Sequence, residues 1–110
     1  MSLTLEQAQA LFRLGRYVEI ASQPASSADA LRSSAPEFRL LVAHSLFHVG
    51  DIRRVGEIVA RENRPESTPR VRAQCELLLG LVDRRGGQLS DCQTHFKAAR
   101  LLSRRSSLSF

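Results

Sequence analysis

Leu11-Phe12-Arg13-Leu14-Gly15 returns 35 residues later as Leu46-Phe47-His48-Val49-Gly50. Self-similarity at that period marks a stack of like supersecondary units, each too small to bury its own apolar face. The residues after each copy are also alike: Arg16-Tyr17-Val18-Glu19-Ile20-Ala21 after the first glycine and Asp51-Ile52-Arg53-Arg54-Val55 after the second. A weaker third copy ends at Gly87 and continues Gln88-Leu89-Ser90-Asp91-Cys92.

Helix starts and stops fall between these corners. Thr4 with Gln7 is a capping-box pattern opening a helix over about Leu5 to Leu14, with Gly15 as its stop. A second helix begins near Arg16 and must be short, because Pro24 lacks an amide proton and collides with the preceding turn. Residues 23–34, rich in Ser and Ala, read as a loose connection holding one helical turn around Asp29 to Arg32. Ser34 and Glu37 form another capping box, with Pro36 in the first turn of a third helix. Phe38, Leu41, Val42, Ser45, Leu46 and Val49 follow the helical period up to Gly50. The fourth helix, about Ile52 to Arg61, turns Val55, Ile58 and Val59 to one side. Thr68-Pro69 opens the fifth, striped by Val71, Cys75, Leu78, Leu79 and Val82, and Gly86-Gly87 breaks it. The sixth carries Leu89, Cys92, Phe96, Ala99 and Leu102 and closes at Leu101-Leu102-Ser103, with 106–110 starting another segment. No stretch alternates with period two, so no sheet is expected.

In these positions the chain resembles the tetratricopeptide repeat family. The fullest unit has Leu79-Gly80, Gly87, Leu89, Cys92, Phe96 and Ala99. The second supplies Val42-Ala43, Leu46, Gly50, Ile52, Val55 and Val59, with Glu62 where the family has a late alanine. The first supplies Ala8, Leu11, Gly15, Tyr17 and Ile20 and fails at Pro24. The resemblance implies an all-α fold: a right-handed α-α superhelix of three helical hairpins over about 4–34, 35–67 and 68–103, within one domain spanning 1–110. The small residues let paired helices approach, and a valine at Gly50 should strain its corner by a few kcal/mol. Because no polar cap covers the last apolar face, the chain is expected to be the front of a longer array, or to cover that face with a second copy as a homodimer.

Function is expected from the groove that the first helix of each hairpin lines in this family. Carried onto this chain, Gln9, His44 and Leu81 form one row. Phe12, Phe47 and Arg84 form the next, and Arg13, His48 and Arg85 the third. Such a surface suits a protein or peptide combining apolar anchors with carboxylates. The expected function is therefore a protein–protein interaction module: a scaffold, sensor or chaperone segment, fitting a bacterial regulatory protein. Two rivals are a stand-alone chaperone of a secreted subunit and a nucleic-acid-binding domain using Arg53-Arg54, Arg84-Arg85 and Arg104-Arg105. The net charge of +5 permits the latter, but the arginines are interleaved with acids and no recognition-helix pattern is present.

Other classes find little footing. His44/His48 and Cys92/His95 have chelating spacings, yet no third ligand is placed, so no metal and no cofactor are expected. Gly86-Gly87 lacks the strand and Lys-Ser/Thr of a phosphate loop, and no nucleophile–base order stands out; no enzyme activity is expected. The apolar runs are far shorter than the roughly 20 residues needed to span a bilayer. Together with an N-terminus unlike a secretion signal and only two cysteines, this places the chain in the cytoplasm as an expectation.

Overall fold

A computed structural model describes residues 4–22 and 35–108, with side chains through Arg104. Among the described residues there are six helices and no strand: α1 (Leu5–Arg13), α2 (Tyr17–Ala21), α3 (Pro36–Val49), α4 (Ile52–Glu62), α5 (Pro69–Arg85) and α6 (Leu89–Leu108). The chain packs as two units, Met1–Val55 and Gly56–Phe110.

The same corner joins α1 to α2, α3 to α4 and α5 to α6. Gly15, Gly50 and Gly87 take φ of 76°, 91° and 80°, a left-handed conformation that L side chains resist. At each corner the residue after the glycine donates back into the preceding helix: Arg16 N–H to Leu11 O at 3.0 Å, Asp51 N–H to Leu46 O at 2.9 Å, Gln88 N–H to Asp83 O at 2.8 Å. These bonds satisfy carbonyls that a helix end would otherwise leave open.

Helix starts follow local chemistry. Thr4 Oγ1 accepts from Gln7 N–H at 3.2 Å while Thr4 N–H donates to Gln7 Oε1 at 3.0 Å, the reciprocal box that the sequence predicts. Thr68 Oγ1 accepts from Val71 N–H at 3.2 Å ahead of Pro69. At the start of α3 Ala35 is the cap, with no side-chain hydrogen bond of its own, and Pro36 is the first helical residue. The fixed φ of Pro36 suits that first position, and Glu37 places an acid in the first turn. Ser34 and the turn expected at Asp29 to Arg32 lie outside the described residues.

In the first unit α1 and α2 both pack on α3 and on each other. Serving two neighbours, α3 buries more than one stripe: Phe38, Val42, Ser45 and Leu46 as the period predicts, and Leu40 and Ala43 besides. Ala8 and Ile20 are fully buried in α1 and α2. The division between the units falls within α4, where Val55, the last residue of the first unit, and Val59 and Glu62 of the second are buried on one helix face.

The second unit is built on α5 against α6. Its tightest point is Gly80, where an added Cβ would stand 2.5 Å from Phe96 Cε1. The Phe96 ring therefore occupies the space a side chain at position 80 would need. Val71, Ala73, Cys75 and Leu78 from α5 and Cys92, Ala99 and Leu102 from α6 complete the buried set. Two expectations need correction here. Leu89 is 63% exposed rather than part of the apolar stripe, since it sits in the first turn of α6 beside the corner. And α6 does not close at Ser103; it runs on to Leu108, where no glycine or proline interrupts it.

Candidate functional site

In the second unit, α5 and α6 leave an open groove of about 850 Å³. The α5 wall presents Arg70, Ala73, Gln74, Leu77, Leu81 and Arg84. The α6 wall presents Phe96, Ala99, Arg100 and Ser103. Spacings of three, four and seven put each set on a single helix face. Ala73 and Ala99 are nearly covered, Leu81 and Phe96 half-buried, and Leu77 is 39% exposed. Arg70, Arg84 and Arg100 are exposed at its rim. Among the described residues no carboxylate lines the groove, and none pairs with any of these three guanidinium groups.

Outside the groove lining, a polar chain ties the second unit together. Asn63 Nδ2 donates to Glu76 Oε1 at 3.2 Å, and the other Glu76 oxygen lies 2.5 Å from His95 Nδ1. On the far side of the ring, His95 Nε2 is 3.4 Å from Asp83 Oδ2. The imidazole is thus bracketed by two α5 carboxylates spaced about two helical turns apart, and it directly precedes Phe96. Cys75 sits close by; burial, then Glu62 and Glu76, push its thiol up to about 12, which keeps it a protonated core residue. Among the described residues no group of three metal-ligating side chains converges.

The first unit gathers rings instead. Phe12 meets Tyr17 edge-on at 5.1 Å and lies 6.1 Å from both His44 and His48. Tyr17 stacks on His48 with centroids 4.0 Å apart and planes 12° off parallel. Phe47 contacts His48 at 5.7 Å. Burial, then the neighbouring His48, lowers His44 to about 4, so its ring is neutral at neutral pH and offers an acidic partner no charge. Beside the stack, Val18 and Val49 are exposed along a shallow hollow of about 330 Å³.

Of the nine residues expected to line a groove, the structure brings Phe12, His44, Phe47 and His48 into this cluster. Gln9 and Arg13 stand exposed on α1. In the second unit Leu81 and Arg84 line the α5–α6 groove, while Arg85 is exposed outside it. Sequence reasoning missed Arg70, Leu77, Phe96 and Arg100. A signal was present: Arg70, Leu77 and Arg84 are spaced by seven, and so are Phe96 and Ser103.

No family model matches this chain, and neither does any curated protein or solved structure. Among its described residues the chain is all-helical, and none of those helices is long and apolar enough to cross a membrane.

Proposed function

We propose that this chain is a protein–protein interaction module built of tetratricopeptide-like hairpins, a cytoplasmic scaffold or chaperone segment that holds an acidic partner. The observation that carries the reading is the α5–α6 groove: an apolar floor left open to solvent and rimmed by three arginines with no described acid along it. Apolar surface of that kind gains from being covered, and guanidinium groups at its edge favour a partner bearing carboxylates. The hairpin assignment is supported by the threefold corner hydrogen bonds. It is supported too by the burial of Ala8, Ala43 and Gly80, and of Ile20, Val55 and Cys92, at matching places in the pattern.

Selection from a random peptide display library on the full chain tests this reading. Enriched peptides should combine acidic residues with apolar anchors, and Arg84→Glu should remove the enrichment while leaving the circular dichroism unchanged. Enrichment of basic peptides would overturn it. So would failure to enrich any peptide alongside salt-steep binding of an oligonucleotide, which would assign the arginines to phosphate contacts.

A further inference from the structure

The groove's own geometry says more about its occupant. Its walls are two helices whose backbone groups are spent within the helices, so the floor offers no free amide or carbonyl row to a guest. An extended peptide laid there would leave its own N–H and C=O groups facing Leu77, Leu81 and Phe96, at the cost of unpaired buried polar groups. A helix carries its hydrogen bonds internally and presents only side chains.

The spacing of the walls agrees. Arg70, Leu77 and Arg84 stand seven apart on α5, with Gln74 and Leu81 also seven apart beside them. On α6, Phe96 and Ser103 repeat the interval. Seven-residue seams on two neighbouring helices are the surface onto which a third helix packs by knobs into holes. Charge sets the ends. Arg70 and Arg84 lie 14 residues apart, or about 21 Å along α5 at 1.5 Å per residue, with the apolar stretch between them. A second copy of this chain is a poor guest, because 16 basic against 11 acidic residues would bring more arginines to an arginine-rimmed cleft.

We infer that the α5–α6 groove docks an amphipathic acidic helix of about four turns from another protein, apolar in its middle and carrying carboxylates about 14 residues apart that meet Arg70 and Arg84. This deepens the interaction-module reading and rests on it.

The probe is a synthetic, end-blocked peptide of about 16 residues with leucines on one helical face and glutamates opposite the two arginines. Its companions are a lysine-for-glutamate twin, a twin with two central prolines, and an oligothymidylate. Binding to the full chain is read by fluorescence anisotropy and by amide shifts of α5 and α6. The parent peptide should bind and become helical, and both twins should bind about tenfold or more weakly, the charge change and helix loss each removing an interaction of at least that size. Arg84→Glu should weaken the parent by about tenfold, and a peptide with lysine at the facing end should recover it, a swap that fixes the register. Equal binding by the proline twin overturns the helix inference while leaving the module reading intact. Binding by neither acidic peptide, with no shift on α5 or α6, overturns both, and capture of the oligothymidylate in their place assigns the arginines to phosphate. Concentration-dependent dimerisation that blocks the parent peptide assigns the groove to a second copy and overturns the inference alone.

Discussion

The two units use the same corner and fill its neighbourhood differently. In the first, Gly15 and Gly50 turn the chain, and rings gather beside them: Tyr17 stacked on His48, Phe12 edge-on to both. In the second, Gly87 turns the chain, and the helices instead close on each other until Phe96 sits where a Gly80 side chain would be. Polar bracing differs as well. In the first unit Arg16 pairs with Glu19 in solvent, whereas in the second Glu76 and Asp83 clasp a half-buried His95. Corner geometry is thus set by a few backbone positions, while the surface beside it is free to vary. In the second unit the close approach of the two helices goes with the open α5–α6 groove.

The close approach gives the largest expected effect. Gly80→Val should cost about 3 kcal/mol, because its Cβ would stand 2.5 Å from a ring held by α6. Gly80→Ala should also destabilise, although alanine favours helix by about 1 kcal/mol over glycine. Pairing Gly80→Ala with Phe96→Leu should recover part of the loss, as a double-mutant cycle in urea would show. At the matching place in the first unit the residue is Ala43, fully buried with its Cβ accommodated. There the reverse change, Ala43→Gly, should cost about 1 kcal/mol through propensity. Additive behaviour at 80 and 96 would refute the contact.

Next in size is a pH effect confined to the first unit. His44 titrates near 6.5 when unfolded and is lowered to about 4 by burial and by His48. Between those values the unfolded chain binds more protons, so stability falls as pH drops from about 6.5 toward 4 and is fully retained above about 6.5. The linkage allows up to about 3 kcal/mol, and partial exposure brings the expectation nearer about 2 kcal/mol. His44→Phe should flatten the melting temperature against pH across that window; an unchanged slope would show that the acid sensitivity comes from elsewhere.

The corners themselves show how much could be read directly. Gly15, Gly50 and Gly87, the Thr4–Gln7 box and the Thr68–Pro69 start were legible because each is a local matter of dihedral angle and nearest hydrogen bond. Partners were not. The Glu76–His95 contact joins residues 19 apart, and periodicity assigns a residue to a face without saying what that face meets. Phe96 therefore read as core, although half of its role is to floor a groove, and the α6 wall went unseen behind the rows of first-helix residues. Leu89 and Val49 fit apolar stripes yet are exposed, since both flank a corner where the chain turns away from its packed face. Gly50→Ala isolates the local part. No atom lies within 4 Å of the added Cβ, so the cost is strain alone, about 1 kcal/mol, against the larger loss expected at Gly80. Equal losses at the two sites would erase the distinction between a glycine kept for its angle and one kept for its space.

The smallest effect is expected where the distance looks most persuasive. Arg16 Nε lies 2.6 Å from Glu19 Oε1, but the two side chains are 54% and 46% exposed. Water already solvates both charges, and holding two long side chains in one geometry costs rotamer entropy, so such pairs contribute between nothing and about 1 kcal/mol. Arg16 also precedes α2 without capping it through its side chain, so removing that side chain leaves no helix amide newly unsatisfied. Arg16→Ala should shift the urea midpoint by less than about 0.5 kcal/mol equivalent, and adding salt should shrink the difference further. A loss well above that, insensitive to salt, would mean that the arginine stem packs on the Tyr17–His48 stack. The first unit would then depend on its ring cluster as closely as the second depends on Gly80.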